Sequence, residues 1–180
     1  MAQTFATFGS KVTVLVRSDR LFPRGDEDVS PVIRKALEDD GVSFLTEAKI
    51  SEVVTLTEAC DEENLPLMKV SILTKGKEVV IESDCLLVAT GRTPNIENLN
   101  LEAAGVDYDS KKGILVDDNA MSVSNPNVYS VGDCTADVPR LTHMSGEMAK
   151  VAVQNSLFNG NWKLSSLVVP ACMYTEPEYV

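Results

Sequence analysis

Apolar and polar positions along this 180-residue chain change their period several times, and each change marks a predicted element. Residues 1–8 (MAQTFATF) have helix-like apolar spacing, Gly9 stands where a C-cap belongs, and residues 11–16 (KVTVLV) read as a buried parallel strand. Residues 17–25 read as a loop. Pro31, shortly after Asp28 and Ser30, fits a helix first turn, and Val32, Ile33, Ala36 and Leu37 continue at helical spacing toward an end near Gly41. Residues 42–45 predict a second strand, giving a strand, crossover helix, strand unit of the right-handed kind.

From 49 to 82 the period shortens to an alternation, with Ile50, Val53 and Leu56, then Met68, Val70 and Ile72, then Val79 and Ile81. Breaks at 61–64 and 75–77 divide it into a three-stranded antiparallel meander, with the acidic run 61–63 as a solvated loop. Residues 85–89 (CLLVA) predict a fully apolar strand running into Thr90-Gly91-Arg92-Thr93-Pro94-Asn95, punctuation that suggests a crossing between domains. Short strands are expected at 113–116 and 127–131, a helix at 144–158 ending by Gly160, and an extended segment at 168–180. Because the first and last elements read as cut through, the expectation is an internal piece of a larger protein.

Composition narrows the function classes. The chain is 44% hydrophobic and 24% charged, within the globular range. A formal net charge of -11 argues against a nucleic-acid partner, since phosphate-backbone binding needs a basic surface. No apolar run approaches the ~20 residues a bilayer span requires, and no signal-peptide series opens the chain. The expectation is no membrane partner and an intracellular location, cytoplasmic or organellar. Cys60, Cys85, Cys134 and Cys172 are too scattered for a redox C-x-x-C pair or a zinc site, and His143 is the single histidine, so no metal site is expected.

The sharpest local chemistry is a strand ending in Gly132-Asp133 with a helix ten residues later. Glycine lets a backbone approach a ligand, and an aspartate at a strand's carboxyl end accepts hydrogen bonds from sugar or polyol hydroxyls. The same pair also makes an ordinary turn.

The order of neighbouring strings adds to this. Gly9-Ser10-Lys11-Val12-Thr13-Val14, then Ala89-Thr90-Gly91-Arg92-Thr93-Pro94-Asn95, then Val131-Gly132-Asp133 with Leu141-Thr142-His143, and last Tyr174-Thr175-Glu176-Pro177-Glu178 together resemble the pyridine nucleotide-disulfide oxidoreductase family. That family includes mercuric reductase, glutathione reductase and dihydrolipoamide dehydrogenase, and the resemblance extends over essentially the whole chain.

The resemblance implies an α/β architecture in three parts. Residues 1–88 would be the second part of a Rossmann-like NAD(P)-binding domain carrying the β-meander. Residues 89–165 would be the C-terminal part of an FAD-binding domain, with Gly91 and Arg92 at the junction, and 166–180 the start of a dimerisation domain. Gly132 and Asp133 would meet the FAD ribityl chain. Leu141, Thr142 and His143, at a helix amino end, would approach the flavin edge that becomes negative on reduction; Thr142 could equally be a cap and His143 a surface residue.

Arg17 follows the strand at which a Rossmann-like domain meets the adenosine ribose. NAD enzymes place an acid at that strand end, whereas an arginine nearby accommodates the 2′-phosphate of NADP. With Val16 in the acid's place, Arg17 and Arg24 point to NADPH. The implied parent is a homodimeric, FAD-containing, NADPH-using disulfide reductase of the mercuric reductase type acting on a small molecule or metal ion. Its glycine-rich loops, redox disulfide and His/Glu pair would lie outside this chain, leaving no catalytic residue within it. Alternatives are a dihydrolipoamide dehydrogenase-like enzyme, which an acid at position 16 would have favoured, or a non-catalytic dinucleotide-binding module.

Overall fold

A computed structural model describes residues 1–23, 25–57 and 65–180. Arg24, Cys60 and the acidic run 61–63 lie outside the described residues. The architecture is mixed α/β and divides into two compact units, one of residues 1–89 with 171–180 and one of residues 90–170.

In the first unit, helix α1 (Ala2–Thr7) precedes strand β1 (Thr13–Leu15), helix α2 (Val29–Asp39) and strand β2 (Ser43–Leu45). The β1 and β2 strands pair in parallel, Thr13 opposite Ser43 and Leu15 opposite Leu45, which requires α2 to cross over between them. One stripe of α2 is apolar: Ile33 and Leu37, one turn apart, are buried with Val42 against Val12, Val14 and Phe44. Its outer face carries the i,i+4 pairs Arg34–Glu38 and Lys35–Asp39, both at 2.8 Å. The helix stops where Gly41 N–H donates to the Glu38 carbonyl and Val42 N–H to that of Leu37, the paired bonds of a Schellman end.

The meander consists of β3 (Lys49–Thr57), β4 (Leu67–Thr74) and β5 (Lys77–Ser83), with β4 central. Only the central strand sinks deep. Val70 and Ile72 are 3% and 1% exposed and form a core with Ala48, against which Leu15, Leu45, Ile81 and Leu86 pack. The buried Thr74 hydroxyl donates to the Thr46 carbonyl at 2.6 Å, tying β4 to the end of β2. Every residue of β3 is exposed, as an edge strand's are.

Residues 85–89, expected as a fully apolar strand, form no ladder, and Leu87 and Val88 are 60% and 71% exposed. An apolar run becomes a paired strand only where another backbone lies alongside, and none of the described residues supplies one. The tail returns to the first unit. Met173 and Tyr179 exchange backbone hydrogen bonds, Met173 packs on the α2 core, and Gln3 of α1 bonds the backbone of Glu176 in both directions.

The second unit is built on irregular turns around Ile96, Leu101, Val106 and Ile114, with Val116, Val128 and Cys134 packed against them. A short hairpin joins β6 (Tyr108–Asp109) to β7 (Gly113–Ile114). Residues 127–131, expected as a strand, make a single antiparallel bridge between Met121 and Tyr129, because the chain turns at once into a 3₁₀ turn, Gly132–Cys134. Helix α3 (Thr142–Leu157) buries Met144, Met148 and Val151, spaced four and three residues apart on one face. Its far end is held by polar side chains: Asn155 bonds the carbonyls of Asn119 and Trp162, and Asp118 accepts from the Ser165 backbone and hydroxyl, which holds the Asp118 carboxyl below its ordinary range.

Ile72 sits at the centre of the first unit's core with almost no solvent contact. Ile72→Ala is expected to lower the free energy of unfolding by about 2–5 kcal/mol, read as a shift of the urea midpoint at unchanged slope. A cost below about 1 kcal/mol would show that the meander does not form the core described.

Candidate functional site

The second unit gathers its chemistry where the 3₁₀ turn meets the amino end of α3. Gly113 starts the assembly. A Cβ on this residue, at φ +120°, would stand 2.3 Å from the Cys134 carbonyl oxygen, so only glycine lets β7 run against the turn. The Ala136 N–H donates to the Ile114 carbonyl at 2.9 Å and fixes that approach. Beneath it Thr135 is fully buried, its hydroxyl 2.7 Å from that of buried Ser130.

Gly132 then reverses the chain at φ +77°, and a Cβ there would meet the Ser145 hydroxyl of α3 at 2.7 Å. The turn therefore rests directly on the first turn and a half of the helix. The next side chain, Asp133, points outward and is about half exposed, its nearest cation the Arg92 guanidinium at 3.8 Å. At that distance the charge is partly balanced while the carboxylate oxygens keep lone pairs for further donors. Cys134 turns inward, donating its thiol to the Val131 carbonyl at 3.3 Å and packing on the core. Cys85 and Cys172 are exposed thiols, and the described residues include no group of three His, Cys, Asp or Glu that could hold a metal.

The amino end of α3 is open. Leu141 occupies the cap position with extended backbone, and its carbonyl accepts from Met144 and Ser145, but no side chain caps the helix. Thr142, which the sequence allowed as a cap, lies inside the first turn. The N–H groups of Thr142 and His143 have no acceptor among the described residues, and both residues are exposed. Such an end attracts anionic or electron-rich atoms through its free donors and its dipole. The cofactor implied by the sequence fits here: Asp133 offers an acceptor to polyol hydroxyls and α3 offers donors to an edge that gains negative charge, whereas Gly132, expected to meet the ligand through bare backbone, is buried with its open side filled by Ser145.

In the first unit, Arg17 lies just past β1, exposed, with no ion-pair or hydrogen-bond partner among the described residues. Its neighbour Arg20 is committed elsewhere, bonding the carbonyls of Pro23 at 3.1 Å and Gly25 at 3.4 Å to close the loop. Val16 continues the pairing of β1, donating to the Leu45 carbonyl, so a free guanidinium is left at the carboxyl end of a parallel strand. That location and charge suit a phosphate. Arg24 lies outside the described residues.

Gly91, at φ +143°, and Arg92 lie at the start of the second unit, and the Arg92 guanidinium stands 3.8 Å from Asp133 while donating to the Arg140 carbonyl. Gly113, Ser145 and Arg140 complete this site without having been singled out in the sequence. Each acts through a contact with a residue far away along the chain, which no local pattern reports. A groove of about 340 Å³ lined by Thr93, Ile96, Glu97, Asn98 and Tyr108 lies on the same unit but contains none of the site residues.

The chain belongs to the pyridine nucleotide-disulphide oxidoreductase family, whose model matches residues 1–153. Enzymes of this family are flavin-dependent oxidoreductases that use a pyridine nucleotide and act on disulfides or metals.

Among its relatives, the mercuric reductase of Bacillus cereus is 34% identical over 177 residues, 98% of this chain and 26% of that protein. The dihydrolipoyl dehydrogenase of Bacillus subtilis (strain 168) is 34% identical over 178 residues, 98% of this chain and 36% of that protein. The HOCl-induced flavoprotein disulfide reductase RclA from Escherichia coli superposes with a TM-score of 0.78 at 25% identity, over 98% of this chain and 38% of that one. LpdA from Mycobacterium tuberculosis shares the fold with a TM-score of 0.80 at 24% identity, over 98% of this chain and 36% of that one. The chain thus spans about a quarter to a third of the length of the curated relatives it matches. No helix among the described residues is long and apolar enough to cross a membrane.

Gly132→Ala is expected to cost about 1–2 kcal/mol for the left-handed backbone alone, plus the clash with Ser145. Pairing it with Ser145→Gly should recover the steric share and leave the backbone share. A thermal melt in which Gly132→Ala is neutral would refute the packing of the turn on α3.

Proposed function

We propose that this chain provides part of the FAD site and part of the NADPH site of a disulfide reductase of the mercuric reductase type. The observation that carries this reading is the outward, loosely paired Asp133 on a turn seated against the uncapped amino end of α3. Residues 1–88 would serve the nicotinamide nucleotide, 89–165 the flavin, and 166–180 would lead into a dimerisation domain, with the parent protein a homodimer acting on a small molecule or metal ion. A redox-active disulfide outside these residues would pass the electrons on.

When bound, FAD supplies the capacity to accept a hydride and release an electron pair. This chain's own residues would bind and orient. Asp133 accepts from ribityl hydroxyls, and Gly132 lets the turn seat on Ser145 so that this carboxylate stands beside the α3 amino end. The Thr142 and His143 N–H groups, with the dipole behind them, favour the flavin edge in its more negative form and so support its reduction. Arg17 pairs with a 2′-phosphate, which would favour NADPH over NADH.

A dihydrolipoyl dehydrogenase-like reading is kept for one reason: the identity to that enzyme in Bacillus subtilis, 34%, equals that to the mercuric reductase of Bacillus cereus. The two readings part at Arg17. In the full-length protein, Arg17→Ala should raise the KM for NADPH about 10- to 100-fold, the worth of a charge-assisted hydrogen bond, and leave the KM for NADH within about twofold. Equal losses for both nucleotides, or none, would remove the NADPH assignment.

Asp133→Ala should weaken FAD binding about tenfold or more, since a hydrogen bond to a charged acceptor is lost. Titration of the apoprotein with FAD, followed by quenching of flavin fluorescence, measures it. Wild-type affinity in this variant would reject the flavin site proposed here. A non-catalytic dinucleotide-binding module would bind both cofactors but show no NADPH-driven bleaching of the flavin absorbance.

A further inference from the structure

Resting on the reading that Asp133 and the α3 amino end hold the flavin, we propose that Arg140 is a positioning residue that keeps Asp133 available to it by restraining Arg92. Arg140 immediately precedes Leu141, the cap of α3, and its half-buried side chain reaches back to two other segments. Its guanidinium donates through Nη1 to the Arg92 carbonyl and through Nη2 to the carbonyls of Lys112 at 2.9 Å and Lys111 at 3.5 Å. Arg92 returns the bond, its own Nη1 donating to the Arg140 carbonyl at 3.0 Å. Each arginine therefore holds the other's backbone.

The consequence falls on Asp133. The same Nη1 of Arg92 lies 3.8 Å from Asp133 Oδ2, beyond hydrogen-bond range although nothing but side-chain rotation separates a flexible exposed arginine from a full contact. Engagement with the Arg140 carbonyl holds Arg92 at that distance. Were the two segments not drawn together by the Arg140 side chain, Arg92 would lose this acceptor and close on Asp133, filling the lone pairs a ribityl hydroxyl needs. The carbonyls that Arg140 serves lie at exposed positions where water could satisfy them, so satisfaction alone does not call for an arginine there. What the guanidinium adds is a fixed planar bridge among residues 92, 111–112 and 140, which the compact ammonium of a lysine cannot span.

FAD titration of the full-length apoprotein tests this, with NADPH binding as a control for folding. Arg140→Ala is expected to raise the FAD dissociation constant about tenfold, the effect of one occupied charge-assisted acceptor, and Arg140→Lys to do the same. Adding Arg92→Ala to Arg140→Ala should bring the constant back at least threefold toward wild type, because the competitor for Asp133 is gone. A role confined to structure would instead make the double variant as weak as the single or weaker. Wild-type affinity in Arg140→Ala, rescue by Arg140→Lys, or no recovery in the double variant would each overturn the proposal. If Arg140→Ala loses NADPH binding as well, Arg140→Gln replaces it, with weakened FAD binding expected and unchanged FAD binding overturning the idea. Should Asp133→Ala leave FAD binding intact, the flavin assignment fails at its root; should Asp133→Ala fail to bind while Arg140→Ala binds normally, only the Arg140 role is lost.

Discussion

Where β7 passes the Cys134 carbonyl there is no room for a side chain, and the rest of the second unit is arranged around that approach. Gly113 admits it, the Ala136 N–H fixes it, and the 3₁₀ turn that results can neither rise away from the hairpin nor sink into it. Gly132 then sits flush on Ser145 of α3. The position of Asp133 and the direction of the helix amino end are thus consequences of one backbone contact, with the burial of Thr135, Met144, Met148 and Val151 supplying the cohesion beneath. A ligand that must meet a carboxylate and a helix end together needs this kind of over-determined geometry, since loose placement by an ångström forfeits the hydrogen bonds.

Charge is used sparingly. In a chain of net charge -11, Arg17 and Arg20 of the first unit and Arg92 and Arg140 of the second are distinguished by what their partners leave free. Arg20 spends its donors on loop carbonyls and Arg140 on three others, whereas Arg17 faces solvent and Arg92 stands just short of Asp133. Guanidinium groups bonded to carbonyls serve as struts; the one without a partner among the described residues is suited to a phosphate. The same residue type therefore serves two purposes within one small protein, and the surroundings decide which.

Much was legible along the chain because it depends on short-range rules. The β1, α2, β2 crossover follows from helical spacing between two apolar runs, and the three-stranded meander from alternation broken at turns. The Gly132-Asp133 pair and the helix after it were visible as a local string. Less legible was the fate of residues 85–89, whose composition says strand but whose exposure shows that composition cannot provide a pairing partner. Residues 127–131 were misjudged for a related reason, since the turn at Gly132 ends the extended stretch before a ladder can form.

By itself the sequence determined which segments are amphipathic, which residue types could receive a phosphate or a polyol, and the order of strings that resembles a flavin-dependent family. Those properties are carried by neighbours in the chain and survive without knowledge of the fold. Only the tertiary structure decided that Gly113 and Gly132 are demanded by contacts at Cys134 and Ser145, that Thr142 lies inside the helix and leaves its end open, and that Arg140 and Arg92 clasp each other beside Asp133. The physical reason is that sterics and hydrogen bonds act between atoms brought within a few ångströms, and residues such as 92 and 140 become neighbours only when the core between them has formed.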